Sequence, residues 1–198
     1  MSAKKCINLS NIDASISCSD SFNMGGLVPR VVFGYHDDVD VWPDFPDAVD
    51  TDNGTELSAA GELDSSLAMK TGKRAFELHF TEDTGSFSIA PQGDKGNISF
   101  LYTLTFINKR VRSHILGFLN ASKNRKMFFL VQDANGKWYL MGDKFRGAML
   151  SPSDGAVTGA ASTDSNQVTT TFTYTSPGAY MMDVDFAPDD LLVVASGT

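Results

Sequence analysis

The sequence predicts a mainly β (α+β) protein: an antiparallel two-sheet sandwich or barrel, with one amphipathic helix packed on it and one long acidic loop. Three observations carry this. Apolar residues recur at every second position in several runs, an Asn-Gly pair separates two short apolar runs, and a single stretch spaces its apolar residues by three and four. With 198 residues, 42% of them hydrophobic and 20% charged, the chain has the size of one domain that buries a core without a disulfide scaffold. The single domain is expected over 1–198, its core over about 27–187, with 1–20 and 188–198 as extended arms.

Val28 to Tyr35 is the first strand, and Pro29, lacking an N–H, is expected to confine its start to a sheet edge. Asp37 to Ser66 follows as a long irregular excursion with Pro43, Pro46, Gly54 and Gly61. Phe76, Leu78 and Phe80 form one face of a strand. Ile98, Phe100, Tyr102, Leu104 and Phe106 form the inward face of another, with Ser99, Thr103 and Thr105 opposite.

The helix is expected from Asn108, as N-cap, to Ala121, with Val111, Ile115, Leu116, Phe118 and Leu119 on its apolar face. Its first turn would hold Lys109, Arg110 and Arg112, which oppose the helix dipole and call for an outside anion. Lys126–Gln132 and Lys137–Met141 flank Asn135-Gly136, a hairpin whose turn favours positive φ. Phe145 to Leu150 is expected to extend that hairpin, and 151–166 to be a connector. Val168, Thr170, Phe172 and Tyr174 form a further inward face. Tyr180, Met182, Val184 and Phe186 form the last, placing Asp183 and Asp185 on an opposite face that must meet water or a cation.

Charge is segregated along the chain. No Lys or Arg lies between Arg30 and Lys70, where Asp37, Asp38, Asp40, Asp44, Asp47, Asp50, Asp52, Glu56, Glu62 and Asp64 are found. From Lys109 to Arg146 nine basic residues face only Asp133 and Asp143. Opposite patches on one chain suit head-to-tail contact between copies. The candidates for such an interface are Asp37, Asp38, Asp40, Val41, Trp42 and Phe45 on the acidic side, and Arg110, Arg112, Lys123 and Arg125 on the basic side. The overall net charge of −8 argues against a nucleic-acid binder. Lys123 to Lys126 beside Phe128 and Phe129 reads as a solvated loop next to core residues.

No catalytic or metal signature emerges, so no catalytic residue, metal ligand or cofactor is expected. His36, His79 and His114 have no second His or Cys at ligand spacing. Neither a Gly-x-Ser-x-Gly elbow nor a phosphate-binding glycine loop is present. Asp50, Asp52 and Glu56 lack the EF-hand pattern. Asp183 and Asp185 have a spacing a glycosidase uses, though alternating acids on a strand read first as a wet face. Trp138 with Tyr139 is open to a sugar-stacking reading or to core packing. Cys6 and Cys18 are expected as free thiols of a reducing compartment. No apolar run has the length of a membrane span, and the protein is expected to be soluble and made in a cytoplasm.

The order of elements, with one helix between the strand ending at Ile107 and the strand starting at Lys126 and a long acidic loop after the first strand, resembles the tail tube proteins of tailed bacteriophages. The stretch Asn135-Gly136-Lys137-Trp138-Tyr139-Leu140-Met141-Gly142, through Gly147-Ala148 to Thr158-Gly159 and Thr163-Asp164, resembles tail structural proteins encoded in prophages of gut bacteria. The likeness covers about Leu27 to Phe186 and consists of turn and strand spacing. It implies a virion protein, made in the host bacterial cytoplasm, whose copies form rings, commonly hexameric, stacked into a conduit for DNA. Its partners would be itself and other tail proteins, with DNA passing unbound and Asp183 and Asp185 as acidic lumen candidates. A tail terminator or baseplate piece, or a carbohydrate-binding sandwich using Trp42, Trp138 or Tyr139, are the alternatives.

Overall fold

A computed structural model of the chain describes residues 23–46, 57–183 and 185–195. Expectations for Cys6, Cys18, the 1–20 arm, Asp47, Asp50, Asp52, Glu56 and Val184 lie outside these residues. In chain order the elements are β1 (Leu27–Tyr35), β2 (Val39–Val41), β3 (Glu62–Leu63), β4 (Ala68–Met69), β5 (Phe76–His79), β6 (Ser86–Gln92), β7 (Ser99–Lys109), α1 (Ser113–Ser122), β8 (Met127–Asp133), β9 (Trp138–Met141), β10 (Met149–Val157), β11 (Gln167–Ser176), β12 (Met181–Met182) and α2 (Asp189–Leu192). The protein is mainly β. One antiparallel sheet has the order β5-β1-β8-β9 and a second β10-β11-β7-β6; β2 pairs with β4, and β12 lies parallel to β3.

Alternation decides the packing. In β7 and β11, Tyr102, Leu104, Phe106, Val168, Phe172 and Tyr174 are buried. Their neighbours Thr103, Thr105, Thr171 and Thr173 pair across the outer face, Thr105 with Thr171 and Thr103 with Thr173. The inner face meets Val31, Leu78, Phe129, Val131 and Met141 of the first sheet in one core. β8 is apolar on both faces, which is the pattern of a strand covered on both sides. Its Phe128 and Leu130 join Val32, Trp138 and Leu140 in a second core, roofed by Val39, Leu63, Leu67, Met69, Met182, Phe186 and Leu191. The acidic excursion and the chain's last described segment therefore form a third layer on the first sheet. α1 packs through Phe118, whose ring lies 5.1 Å from Phe33 and 5.9 Å from Phe172.

The Asn-Gly hairpin joins β8 and β9 as predicted: Gly136 has φ 84°, and the Asp133 carboxylate accepts the N–H of Asn135 and of Lys137. Other expectations are corrected. β1 is an interior strand, flanked by β5 and β8, and Pro29 is accommodated where the β1–β8 register shifts between Leu27 and Val31. β7 continues through Asn108 to Lys109, so α1 starts only at Ser113 and Asn108 is a buried strand residue donating Nδ2–H to the His79 carbonyl. Lys109 and Arg110 consequently lie outside the helix, and Arg112 is its N-cap. Ile98 precedes β7 and is exposed, and Phe76 is partly exposed at the edge strand.

Phe145 to Leu150 extends the hairpin only through Gly147 and Ala148, which bridge Gly142 and Met127. Gly142 and Gly147 bridge across a turn, and the chain then enters the second sheet as β10, paired with β11. β10 runs on to Val157, so only 158–166 is a connector. Within that connector, the N–H groups of Ala161 and Ala160 bind the Asp164 carboxylate and hold it below the usual range. The last predicted strand stops at Met182, because the chain turns there: Asp183 Oδ1 accepts the Asp185 N–H, and the Asp183 carbonyl accepts that of Phe186.

Candidate functional site

β1 and β8 provide a ruler for where the candidate residues stand. Tyr35 pairs with Met127 at one end and Leu27 with Asp133 at the other. Six steps along β8 at about 3.3 Å each separate these ends by about 20 Å.

The acidic candidates follow directly from the Tyr35 end. Asp37 and Asp38 belong to a tight 3₁₀ turn at His36–Asp38, and Asp40 is exposed in β2. Asp38 is bridged to Lys73 at 3.0 Å, which offsets part of this charge, and Asp37 lies 3.6 Å from the His36 ring. Val41 is exposed, but Trp42 and Phe45 are used within the chain. Trp42 lies against His36 and Phe128, and Phe45 stacks on Tyr180 at 5.3 Å. Apolar side chains in a long loop serve here to seal the second core.

The basic candidates divide between the two ends. Lys123 and Arg125 stand near the acids: the neighbouring Lys126 carbonyl accepts the His36 N–H, and the Arg125 guanidinium lies 3.8 Å from the Tyr35 ring centre. Arg110 and Arg112 stand toward the Leu27 end, where Asn108 binds the carbonyl of His79, the partner of Arg30. Arg110 has φ 70°, a left-handed conformation that costs about 1 kcal/mol or more outside glycine. Asn166 holds it there, accepting the Arg110 N–H on its carbonyl and the Val111 N–H on its side chain. Lys109, Arg110, Arg112, His79 and His114 line a small hollow of about 200 Å³, and among the described residues no acidic side chain lines it.

Asp183 and Asp185 do not share a strand face. They occupy the turn after β12, beside β3 in the third layer, where Asp183 N–H reaches the Leu63 carbonyl. Of the carbohydrate candidates, Trp138 is buried against Phe186 and Trp42 is covered as described, while Tyr139 lines an open hollow. Among the described residues no three His, Cys, Asp or Glu side chains come together as a metal-holding group. Likewise, none of their helices is long and apolar enough to cross a membrane.

Sequence reasoning missed the turn from Gly142 to Gly147. Asp143 is only 5% exposed and its carboxylate accepts three hydrogen bonds: from the N–H of Phe145 at 2.7 Å, the N–H of Arg146 at 2.9 Å, and the Tyr174 hydroxyl at 2.6 Å. Burial, and after it this bond to Asp143, pushes the Tyr174 phenol far above its ordinary range. The turn presents Phe145 at 72% exposure between Lys144 and Arg146. An Asp just after one glycine and a second glycine four residues on are a turn signature that was available in the sequence.

The described fold and charge layout thus define a mainly β two-sheet protein whose candidate residues form surfaces rather than a cleft. Searches of family models, curated proteins and solved structures return no match for this chain.

Proposed function

We propose that the chain is a non-enzymatic structural subunit that assembles head to tail, its copies forming stacked rings of a phage tail tube through which DNA passes. One observation supports this above the others. Asp37, Asp38 and Asp40 lie at the Tyr35 end of the first sheet and Arg110 and Arg112 toward its Leu27 end. They do not meet within one molecule. Between copies they meet when one end faces the opposite end of the next, a heterologous contact that generates rings or filaments.

The second sheet agrees with a conduit wall. The middle of its outer face carries Ser86, Ser88, Thr103, Thr105, Thr171 and Thr173 in register and no cation to hold a phosphate. In this reading the protein belongs to the virion, is made in the host bacterial cytoplasm, and has itself and other tail proteins as partners.

The test is light scattering after size exclusion, with negative-stain microscopy, on the wild type and on Arg110→Glu/Arg112→Glu. The wild type should form rings or tubes at high concentration. The double reversal should lose them while keeping its melting temperature, because exposed charges add little to folding. Adding Asp37→Arg/Asp40→Arg to the double reversal should restore assembly. A wild type that stays monomeric, or tubes unaffected by the reversal, overturns the reading.

A further inference from the structure

We propose that Phe145 is a knob that seats in a hollow at the far end of a second copy of this chain. The proposal rests on the self-assembly reading and names its contact. Phe145 is the most exposed of the large apolar side chains among the described residues, yet its turn is firmly built. The Gly142–Gly147 bridge, the Asp143 carboxylate and a hydrogen bond from Lys126 Nζ to the Phe145 carbonyl all hold it. A ring presented this way loses little conformational freedom when it is buried. An aromatic held in water by a dedicated scaffold marks an interaction site.

The complementary surface lies at the other end of the same sheet. Leu27, Phe87 and Tyr139 wall an open hollow of about 360 Å³, with Gly25 at its edge and Asp133 within it. Asp133 Oδ1 is used by the hairpin turn, whereas among the described residues Oδ2 has only a long 3.5 Å contact from the Tyr139 hydroxyl. The hollow therefore offers apolar walls to a ring and a carboxylate to Lys144 and Arg146 beside it.

Position settles the symmetry of the contact. The turn follows from the Met127 end of β8 and the hollow from its Asp133 end, so one molecule carries the knob and its neighbour the socket. Such a pairing repeats without closing on itself as a twofold dimer. The same end-to-end step faces Asp37 and Asp40 toward Arg110 and Arg112 of the next copy.

The experiment mixes two variants. Phe145→Ala lacks the knob, and Gly25→Trp fills the socket; both sites are exposed and a Cβ at Gly25 meets no other atom within 4 Å, so both proteins should keep the wild-type melting temperature. Each alone should assemble only at a concentration about 30-fold or more above that of the wild type, as loss of a hot-spot aromatic requires. Mixed one to one, they should form dimers that grow no further, since the only intact knob meets the only intact socket once. Phe145→Ala assembling at the wild-type concentration overturns this contact while leaving head-to-tail assembly standing. If Phe145→Ala is impaired and Gly25→Trp is not, or if the mixture gives no dimers, the hollow is not the socket. A wild type that never assembles overturns both proposals together.

Discussion

Replacing Asp143 with alanine removes one acceptor group that three donors share. The N–H groups of Phe145 and Arg146 lie in an exposed turn, where water replaces the lost bonds at a cost of about 1 kcal/mol each. The Tyr174 hydroxyl is buried and has no such recourse, adding about 1–3 kcal/mol for an unsatisfied donor. Asp143→Ala should therefore destabilise the fold by about 3–5 kcal/mol, a drop of roughly 10 °C in melting temperature for a chain of this length. Asp143→Asn, which keeps an acceptor for the turn, should cost about 1–2 kcal/mol, and so should Tyr174→Phe. The double variant Asp143→Ala/Tyr174→Phe should be less damaging than the sum of its parts, because the orphaned hydroxyl is gone. Urea unfolding of the wild type and these four variants measures all of this. If Asp143→Ala stays within about 1 kcal/mol of the wild type, or if the two changes simply add, the buried network is not what holds the turn.

Two further outcomes follow from packing and burial. Gly34→Ala would place a methyl 2.7 Å from the fully buried Phe128 ring, and should cost about 1–3 kcal/mol in urea unfolding; a neutral effect would mean that the ring has room to move. Burial raises the phenol groups of Tyr102, Tyr139, Tyr174 and Tyr180 above their ordinary value of 10.0. A raised folded value means that the contribution to stability is intact below about pH 10 and is lost as pH climbs above it. These phenols should accordingly lower the melting temperature only in that alkaline range, with phenolate absorbance appearing alongside unfolding. Tyrosines that all titrate with ordinary midpoints in the folded protein would refute this.

The candidate surfaces were legible in part. Arg110 and Arg112 stand out because charges this dense in a short stretch are visible without coordinates, and so do the acids after Tyr35. That the two groups lie at opposite ends depends on strand pairing, in which residues far apart in sequence become neighbours. Trp42 and Phe45 have the composition of contact residues, but the local sequence does not say that Phe128 and Tyr180 are already waiting for them. Phe145 was hidden for the opposite reason. It continues an apolar run into Leu150, and only the buried Asp143 and its bond to Tyr174, 31 residues away, turn that run outward.

Local periodicity was sufficient for the faces of β7 and β11, for the Asn135-Gly136 hairpin and for the mainly β class, because side chains alternate with the pleat whatever the strand's neighbours are. Strand order, the interior place of β1 despite Pro29, the departure of β10 into the second sheet and the turn at Asp183 were decided by tertiary structure. Each depends on which distant backbone groups are free to pair and which apolar face needs covering, and neither quantity is local to any stretch of the chain.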